Sequence, residues 1–184
     1  LRDAKRTIGR DDDRFSYQCF DCANIPFQDH SFDLILANHL LFYCDDIPRV
    51  LQEVRRTLTA NGSFICSTYG SRHMKEISDL VTGFDRHINL SDEKLYLRFG
   101  LENGEKILKE FFPSVQCILY DDAIDIHDPQ PIIEYILSCH GNQNQYILDR
   151  YEDFRTYVGK KTKNGFHITK EAGIFLCRLS SPAS

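Results

Sequence analysis

Residues 15–70 read FSYQCFDCANIPFQDHSFDLILANHLLFYCDDIPRVLQEVRRTLTANGSFICSTYG. Within them, residues 32–37 form a nearly continuous apolar run, which is typical of a strand buried on both faces in a parallel sheet. Asp45 and Asp46 then offer a helix cap before Pro48, and apolar residues recur at helical spacing. A strand followed by an amphipathic helix is therefore predicted.

A second strand is predicted after this helix. Asn61-Gly62 indicates a turn, and residues 63–68 form another apolar run. Strand, helix and strand in this order predict a parallel βαβ unit. Ligands of open α/β sheets bind at the carboxyl ends of the strands. Three such ends are predicted here, at Asp21-Cys22-Ala23, Asn38-His39-Leu40 and Tyr69-Gly70.

Several motifs of this stretch resemble a known family in their order and spacing. They are Asp21…Ile25-Pro26-Phe27…Ser31-Phe32-Asp33, then Ala37-Asn38-His39, then Leu51…Glu53-Val54…Arg56…Leu58…Asn61-Gly62. Together they are similar to class I S-adenosylmethionine-dependent methyltransferases of the type 11, small-molecule group, which includes the ubiquinone and menaquinone biosynthesis enzymes. The resemblance implies an α/β fold with a Rossmann-like, mostly parallel sheet and an antiparallel last strand.

The start of the chain departs from that family. In the family, residues 1–9 correspond to the end of the second helix, which follows a strand with a Gly-rich turn and a strand that ends in an acidic residue. Gly9 is the only glycine before residue 62, so the Gly-rich loop of the cofactor site is absent. We expect residues 1–184 to be a partial, truncated methyltransferase domain that is inactive alone. A degenerate piece that never binds cofactor is the other interpretation.

The resemblance implies S-adenosylmethionine as the cofactor. It assigns the adenine amino group to Asp21 and the adenine ring to the backbone of Cys22 and Ala23. Asn38 and His39 would face the methionine end. Taken alone, an Asp after a strand such as Asp21 is more often a turn former, and Asn38 is equally well explained as a turn cap.

Two histidines and three aromatic residues are candidates for the chemistry. His39 and His73 are candidate general bases, because imidazole titrates near neutral pH. A structural role for either histidine is the alternative. Phe42, Tyr43 and Tyr69 could offer ring faces to the sulfonium or form the wall of a substrate pocket. Core packing is the alternative for these rings.

Residues 71–101 are predicted to form a lid-like insertion. A short helix is predicted over 72–81, and residues 83–101 have no sustained period. In the resembled family an insertion at this place covers the active site. We therefore expect a small-molecule acceptor beneath it.

Periodicity predicts the remaining elements. Helices are expected over 1–9, 103–112, 129–140 and 145–161, and strands over 114–120, 166–169 and 173–179 with a turn at 170–172. A strand is also expected to end at Asp21. The last strand would close the sheet in the antiparallel sense.

Composition limits the class of protein. With 184 residues, of which 42% are hydrophobic and 27% charged, one soluble domain is expected. No apolar stretch approaches the length of a membrane span, and the first residues lack a signal peptide's apolar segment. The net charge is −5 and basic residues are dispersed, so neither a membrane nor a nucleic-acid partner is expected. The oligomeric state is left open.

Seven cysteines, an odd number, predict free thiols in a reducing compartment, and hence a cytoplasmic protein. Cys19-x-x-Cys22 has redox or zinc spacing, but no second pair accompanies it, so packing roles are expected. The acidic clusters at 11–13 and 121–122 are interpreted as solvated loops, and no metal site is predicted.

These features predict an enzyme that transfers a methyl group from S-adenosylmethionine to a small molecule. A dinucleotide-dependent oxidoreductase also uses βαβ units, but it would need a Gly-rich fingerprint that the sequence lacks. A non-catalytic, methyltransferase-like interaction module that does not bind cofactor is the remaining alternative.

Overall fold

A four-stranded sheet lies at the centre of the computed structural model, which describes residues 6–7, 13–91 and 94–180. Its strands are β1 (Phe32–Asn38), β2 (Leu58–Tyr69), β3 (Ser114–Ile126) and β4 (Phe166–Arg178), in the spatial order β1-β2-β4-β3. β1 and β2 are parallel, and β4 is antiparallel to both of its neighbours. Because β1, β2 and β3 then run in one direction, the predicted mixed sheet with an antiparallel last strand is confirmed.

Six helices accompany these strands in the described residues: α1 (Ile47–Thr57), α2 (Lys75–Phe84), α3 (Gly104–Lys109), α4 (Pro129–Ser138), α5 (Gln143–Leu148) and α6 (Tyr151–Thr162). Two 3-10 turns lie at Leu41–Tyr43 and Leu95–Leu97. α1 begins as predicted, because the Asp46 side chain accepts a hydrogen bond from the Arg49 N–H at 2.9 Å. Pro48 occupies its first turn, where no intrahelical N–H is required.

The apolar residues form two cores at different places along the sheet. The first lies between α1, α3 and one face of the sheet, with Leu51, Phe64 and Phe175 fully buried. The second joins α2, α4, α5 and α6 to the far end of the β3–β4 pair, where Ile168 is buried. β2 stops at its pair with Ala172, whereas the β3–β4 pairing continues to residues 126 and 166. The second core therefore lies beyond the carboxyl end of β2, where it can border a ligand site.

The opposite face of the sheet carries exposed apolar side chains. Leu34 and Leu36 of β1 are 51% and 57% exposed, and Ile118 of β3 is 43% exposed. Their register places them on the face away from α1. Among the described residues, this face has no covering helix.

The turn predicted at Asn61-Gly62 is wrong, because β2 already begins at Leu58. The pairing jumps from Phe32↔Leu58 to Leu34↔Ser63, so the extra residues form an irregularity inside β2. A Cβ atom on Gly62 would lie 3.1 Å from the Phe32 carbonyl oxygen. The glycine therefore permits a close approach of two strands, which a turn signal alone does not distinguish.

The strand predicted to end at Asp21 is also absent. Residues 15–21 have no strand structure, and no described strand pairs with them. An extended segment without a neighbouring ladder leaves its backbone groups to water. The sequence pattern alone does not show whether a partner strand is at hand.

Two further boundaries differ for clear physical reasons. The helix predicted over 145–161 is two helices, since Arg150 leaves helical geometry at φ −133°. β4 is continuous through 170–172, because the extended β3 supplies partners for those residues.

The remaining differences are in the lengths of the elements. α2 begins and ends three residues later than predicted, α3 and α4 are shorter, and β3 is longer. Most of the helix predicted over 1–9 lies outside the described residues.

Within the ranges that the structure describes, no helix has the length and apolar character needed to cross a membrane.

Candidate active site

Three side chains of α1 hold the loop that contains the predicted adenine-binding residues. Arg49 Nε donates to the Ala23 carbonyl at 3.1 Å, and Glu53 Oε2 accepts from the Ile25 N–H at 3.0 Å. Arg56 donates to the Ile25 carbonyl at 2.8 Å. The helix thus fixes a loop without regular structure through that loop's own backbone groups.

Glu53 is the central charge of this arrangement and is only 4% exposed. Arg56 donates two hydrogen bonds to it, at 2.8 and 3.1 Å. These bonds are the main cause of the lowered pKa of Glu53, and the Ile25 N–H acts in the same direction against the effect of burial. Glu53 is therefore an ionised and fully bonded buried carboxylate at neutral pH.

The residues at 21–23 form a tight turn with a polar edge. Asp21 Oδ1 accepts from the Ala23 N–H at 2.9 Å, and the Asp21 carbonyl accepts from the Asn24 N–H at 2.9 Å. The turn-forming role of Asp21 is therefore present. Asp21 is exposed, and the Cys22 N–H has no hydrogen-bond partner in the described part of the chain.

This polar edge fits one side of an adenine ring. That side presents an amino donor beside a ring-nitrogen acceptor, which a carboxylate oxygen and a backbone N–H complement. The second oxygen of Asp21 and the N–H of Cys22 supply this pair. The chemistry of the turn is therefore compatible with the adenine end of S-adenosylmethionine.

The end of β1 adopts an unusual conformation at His39. Its φ of +48° lies in the left-handed region, which is uncommon for residues other than glycine and often marks functional sites. The His39 N–H donates to Ser67 Oγ at 3.0 Å, which ties this residue to β2. Asn38, the last residue of β1, is exposed beside it.

Aromatic rings join the ends of β1 and β2. The Tyr69 ring centroid lies 6.3 Å from that of His39, 5.3 Å from Phe42 and 5.3 Å from His73. Phe42 is 2% exposed, so it is mainly a core residue that supports the wall, whereas Tyr43 is 64% exposed. Burial raises the pKa of Tyr69, which keeps its hydroxyl neutral.

A cavity of about 570 Å³ opens at these strand ends. The aromatic group forms one side, while Leu90, Lys94 and Tyr96 of the 71–101 segment line another. Tyr135 of α4 and Cys139, which directly follows that helix, complete it. This volume suits a small organic molecule.

The charge of the cavity differs from that of the whole chain. Lys75 and Lys94 line it, and none of its described lining residues is acidic, although the chain carries a net charge of −5. Lys75 pairs with Asp79 at 3.6 Å outside the lining. The described lining therefore offers two ammonium groups and no carboxylate, and one of the two is paired outside the cavity.

The two histidines differ in how they present their ring nitrogens. His73 Nδ1 is buried and lacks a hydrogen-bond partner in the described residues. Burial lowers the pKa of His73, and Lys170 and His39 lower it further, so the ring is neutral at pH 7. His39 is exposed beside the cavity.

Apart from Asn38, which ends β1, the predicted residues fall into two groups. His39, Phe42, Tyr43, Tyr69 and His73 line one cavity. The turn at 21–23 lies outside that lining, beside Cys44. No group of metal-ligating side chains large enough for an ion is present in the part of the chain that the structure describes.

Several lining residues of the cavity lie outside the set predicted from the sequence. Lys94 and Tyr96 fall inside the predicted lid and could have been chosen by their charge and ring. Tyr135 and Cys139 carried no signal, because nothing in the helical pattern of α4 indicates which neighbour it meets. Glu53 was recognised as part of a motif, but its burial was not.

Comparison with known proteins supports the methyltransferase resemblance. The family described as "Methyltransferase domain" matches residues 1–66. The fold is shared with a protein assigned to the type II methyltransferases from Anaeromyxobacter dehalogenans, at a TM-score of 0.55 and 15% identity, covering 92% of this chain and 74% of the other. The predicted resemblance is thus confirmed in sequence over the first third and in fold over most of the chain.

Two relatives extend the likeness in sequence beyond residue 66. The biotin biosynthesis bifunctional protein BioHC of Saccharophagus degradans is 24% identical, over 79% of this chain and 29% of the relative. A malonyl-[acyl-carrier protein] O-methyltransferase of Methylovorus sp. is 28% identical, over 78% of this chain and 52% of the relative. The chain therefore spans about half or less of the length of these proteins.

Proposed function

We propose that the protein transfers a methyl group from S-adenosylmethionine to a small molecule that occupies the cavity at the ends of β1 and β2. The observation that carries this proposal is the aromatic cavity next to a turn with an adenine-complementary edge. The relatives named as methyltransferases support the same class of reaction.

Cofactor binding is assigned to Asp21, Cys22, Ala23, Asn38 and His39. The Asp21 carboxylate and the Cys22 N–H would hold adenine, and Asn38 and His39 would face the methionine end. When bound, the cofactor supplies an electrophilic methyl group. The chain's own contribution is to align the acceptor and to exclude water with the rings of Phe42 and Tyr69.

His39 is the better candidate for accepting a proton from the acceptor. Its ring is exposed beside the cavity, whereas His73 is only partly exposed and its Nδ1 is buried. His73 would then serve as a neutral wall against Tyr69. Replacing His39 by Gln should lower kcat far more than replacing His73 by Gln.

The acceptor is proposed to carry an anionic group, such as a carboxylate. Lys75 and Lys94 provide the positive charge, and the aromatic rings suit an apolar portion of the same molecule. The name of the malonyl-[acyl-carrier protein] O-methyltransferases specifies an acyl group on a carrier protein and methylation at oxygen. An acceptor that is methylated on a carboxylate oxygen would match the positive charge of Lys75 and Lys94.

Residues 71–101 are proposed to act as a lid over this acceptor, within a partial methyltransferase domain. The end of this segment is attached to the rest of the chain at several points. Arg98 donates to the Cys44 carbonyl at 2.9 Å, and the Leu101 N–H donates to the Tyr69 carbonyl at 3.3 Å. Its middle is held to the connection between α4 and α5, because the Leu90 and Asn89 carbonyls accept from the Gly141 and Asn142 N–H groups at 3.1 and 3.0 Å.

The test is a methyl-release assay of the full protein with a panel of carboxylic acids and their neutral amides. We expect turnover with acids only, and a loss of that preference in Lys94→Gln. Lys160→Gln, on an exposed part of α6 away from the cavity, is the matched control. Turnover of the amides at equal rates would reject the anionic acceptor. An unchanged substrate preference after shortening residues 83–101 would reject the lid.

A non-catalytic interaction module is the second candidate, and the uncovered apolar face at Leu34, Leu36 and Ile118 favours it. Calorimetric titration with S-adenosylmethionine separates the two. Binding that Asp21→Ala weakens by about 1–3 kcal/mol supports the enzyme. Absence of binding by the full protein supports the module.

A cytoplasmic location stays a prediction from the cysteine content, as does the absence of a nucleic-acid partner from the charge. Both bear on the choice of acceptor, since they favour a metabolite.

A further inference from the structure

Two cysteines that are distant in sequence lie in contact next to the proposed cofactor site. Cys22 Sγ and Cys44 Sγ are 3.5 Å apart, and both are free thiols. A disulfide has an S–S distance of about 2.0 Å, so a small approach would allow the bond. The partner suggested by the sequence spacing, Cys19, is exposed instead.

Both sulfurs lie on connections and not inside a helix or strand. Cys22 belongs to the turn at 21–23, and Cys44 lies between the 3-10 turn Leu41–Tyr43 and α1. A shift of such loops leaves the sheet hydrogen bonds in place. The two thiols can therefore approach without unfolding either core.

The two thiols differ in access, which assigns their roles. Cys44 is 8% exposed, and burial, then Cys22 and Asp21, raise its pKa to about 12. Cys22 is half-buried and is the thiol that an oxidant can reach. An oxidant would thus meet Cys22 first, with Cys44 as the resolving thiol behind it.

We propose that Cys22 and Cys44 form a reversible disulfide on exposure to a peroxide. The Cys22 sulfur gives up its proton and attacks one peroxide oxygen as the O–O bond breaks, and the leaving hydroxide takes up that proton, so that a sulfenic acid and one water form. The Cys44 sulfur then attacks the Cys22 sulfur and loses its proton, and a second water leaves as the S–S bond forms. Two thiols and one hydrogen peroxide give one disulfide and two waters.

The bond would act on the cofactor site, a consequence that rests on the proposed function. The Cys22 N–H is the proposed adenine donor, and the Cys44 carbonyl accepts from Arg98 of the 71–101 segment. Drawing the two sulfurs together pulls the turn at 21–23 towards the segment after β1. The adenine edge and one lid anchor would shift together, and cofactor affinity would fall.

The site itself is tested on the folded chain without any cofactor. Hydrogen peroxide is added, remaining thiols are alkylated, and peptides are mapped by mass spectrometry. We expect a cross-linked Cys22–Cys44 peptide that is two hydrogens lighter and is restored by dithiothreitol. Cys19→Ser should cross-link like the parent, while Cys22→Ser and Cys44→Ala should not. A Cys19–Cys22 bond, or irreversible oxidation of Cys22 without a cross-link, would overturn the proposal.

The effect on the cofactor is tested separately in the full protein. We expect the Kd for S-adenosylmethionine to rise at least tenfold after peroxide and to recover with dithiothreitol, with no peroxide effect in Cys44→Ala. An unchanged Kd in a cross-linked sample would overturn the switch. A cross-link in a protein that never binds the cofactor would reject the proposed function and the switch, but keep the disulfide site.

Discussion

The loop that follows Asp21 and the cavity at the strand ends are held in opposite ways. The loop packs only partly against the first core, and its backbone is fixed by hydrogen bonds with Arg49, Glu53 and Arg56. The cavity is built from packed rings and aliphatic chains that come from four separate parts of the chain. The loop depends on charged side chains, and the cavity wall depends on the volume of its packed side chains. Different substitutions should therefore damage the two regions.

The largest effect is expected from Phe42→Ala in the cavity wall. Phe42 is 2% exposed and contacts the rings of Tyr43 and Tyr69 at centroid distances of 4.7 and 5.3 Å. Removing the ring should lower the free energy of unfolding by about 3–5 kcal/mol, measured by urea denaturation. The exposed Tyr43→Ala should cost clearly less. Equal losses would mean that the wall is not a packed core.

Glu53→Ala should have the next largest effect and should act on the loop. It removes one of the two carboxylate partners of Arg56 and the acceptor of the Ile25 N–H, so a loss of at most about 3 kcal/mol is expected. Hydrogen exchange should rise in residues 23–29 but not in β3. Glu105→Ala, which removes an exposed pair with Lys109 at 2.6 Å, should cost at most about 1 kcal/mol. Uniform exchange along the chain would contradict a local role for Glu53.

The same carboxylate predicts a pH dependence. Because the pKa of Glu53 is lowered from 4.5 in the folded chain, its stabilisation is complete above pH 4.5 and is lost as the pH falls through the folded value. The stability difference between the parent and Glu53→Gln should be constant near neutrality and should shrink in acid. Comparing the two chains cancels the other titrating carboxylates. A difference that grows in acid would mean that the pKa is raised.

The smallest effect is expected at the lid anchor. Arg98 is 40% exposed, and its partner Asp45 at 3.2 Å is fully exposed. Arg98→Gln should therefore cost less than about 1 kcal/mol in stability. Hydrogen exchange should still rise in the 94–98 segment, where the contact with the Cys44 carbonyl is lost. A large loss of global stability would mean that Arg98 stabilises the whole fold and not only the lid segment.

The parts of the fold and site that could be predicted from the sequence are those with local signals. The βαβ unit follows from a cap at Asp46, a helical repeat and two apolar runs, all of which are local. The ends of β1 and β2, and hence His39 and Tyr69, were located from that unit and the family resemblance. These signals lie within a few residues of the structure that they specify.

Errors arose where the deciding partner is far along the chain. Residues 170–172 looked like a turn, yet they pair with Asp122 and Tyr120 some 50 residues away. Tyr135 and Cys139 line the same cavity as Tyr69 because the second core lies beyond the end of β2. Cys22 likewise meets Cys44 and not its sequence neighbour Cys19. Packing between distant elements leaves no periodic signal in one sequence.

The position of β4 between β2 and β3 also constrains when the chain can fold. β2 and β3 have no ladder with each other, and each pairs with a strand that begins only at Phe166. During synthesis, the N-terminal βαβ unit can form early, whereas β3 stays without a sheet partner until the final strand is made. Contacts of such long sequence separation slow folding. We therefore expect refolding in at least two phases, and a nascent chain that stays sensitive to protease until β4 emerges.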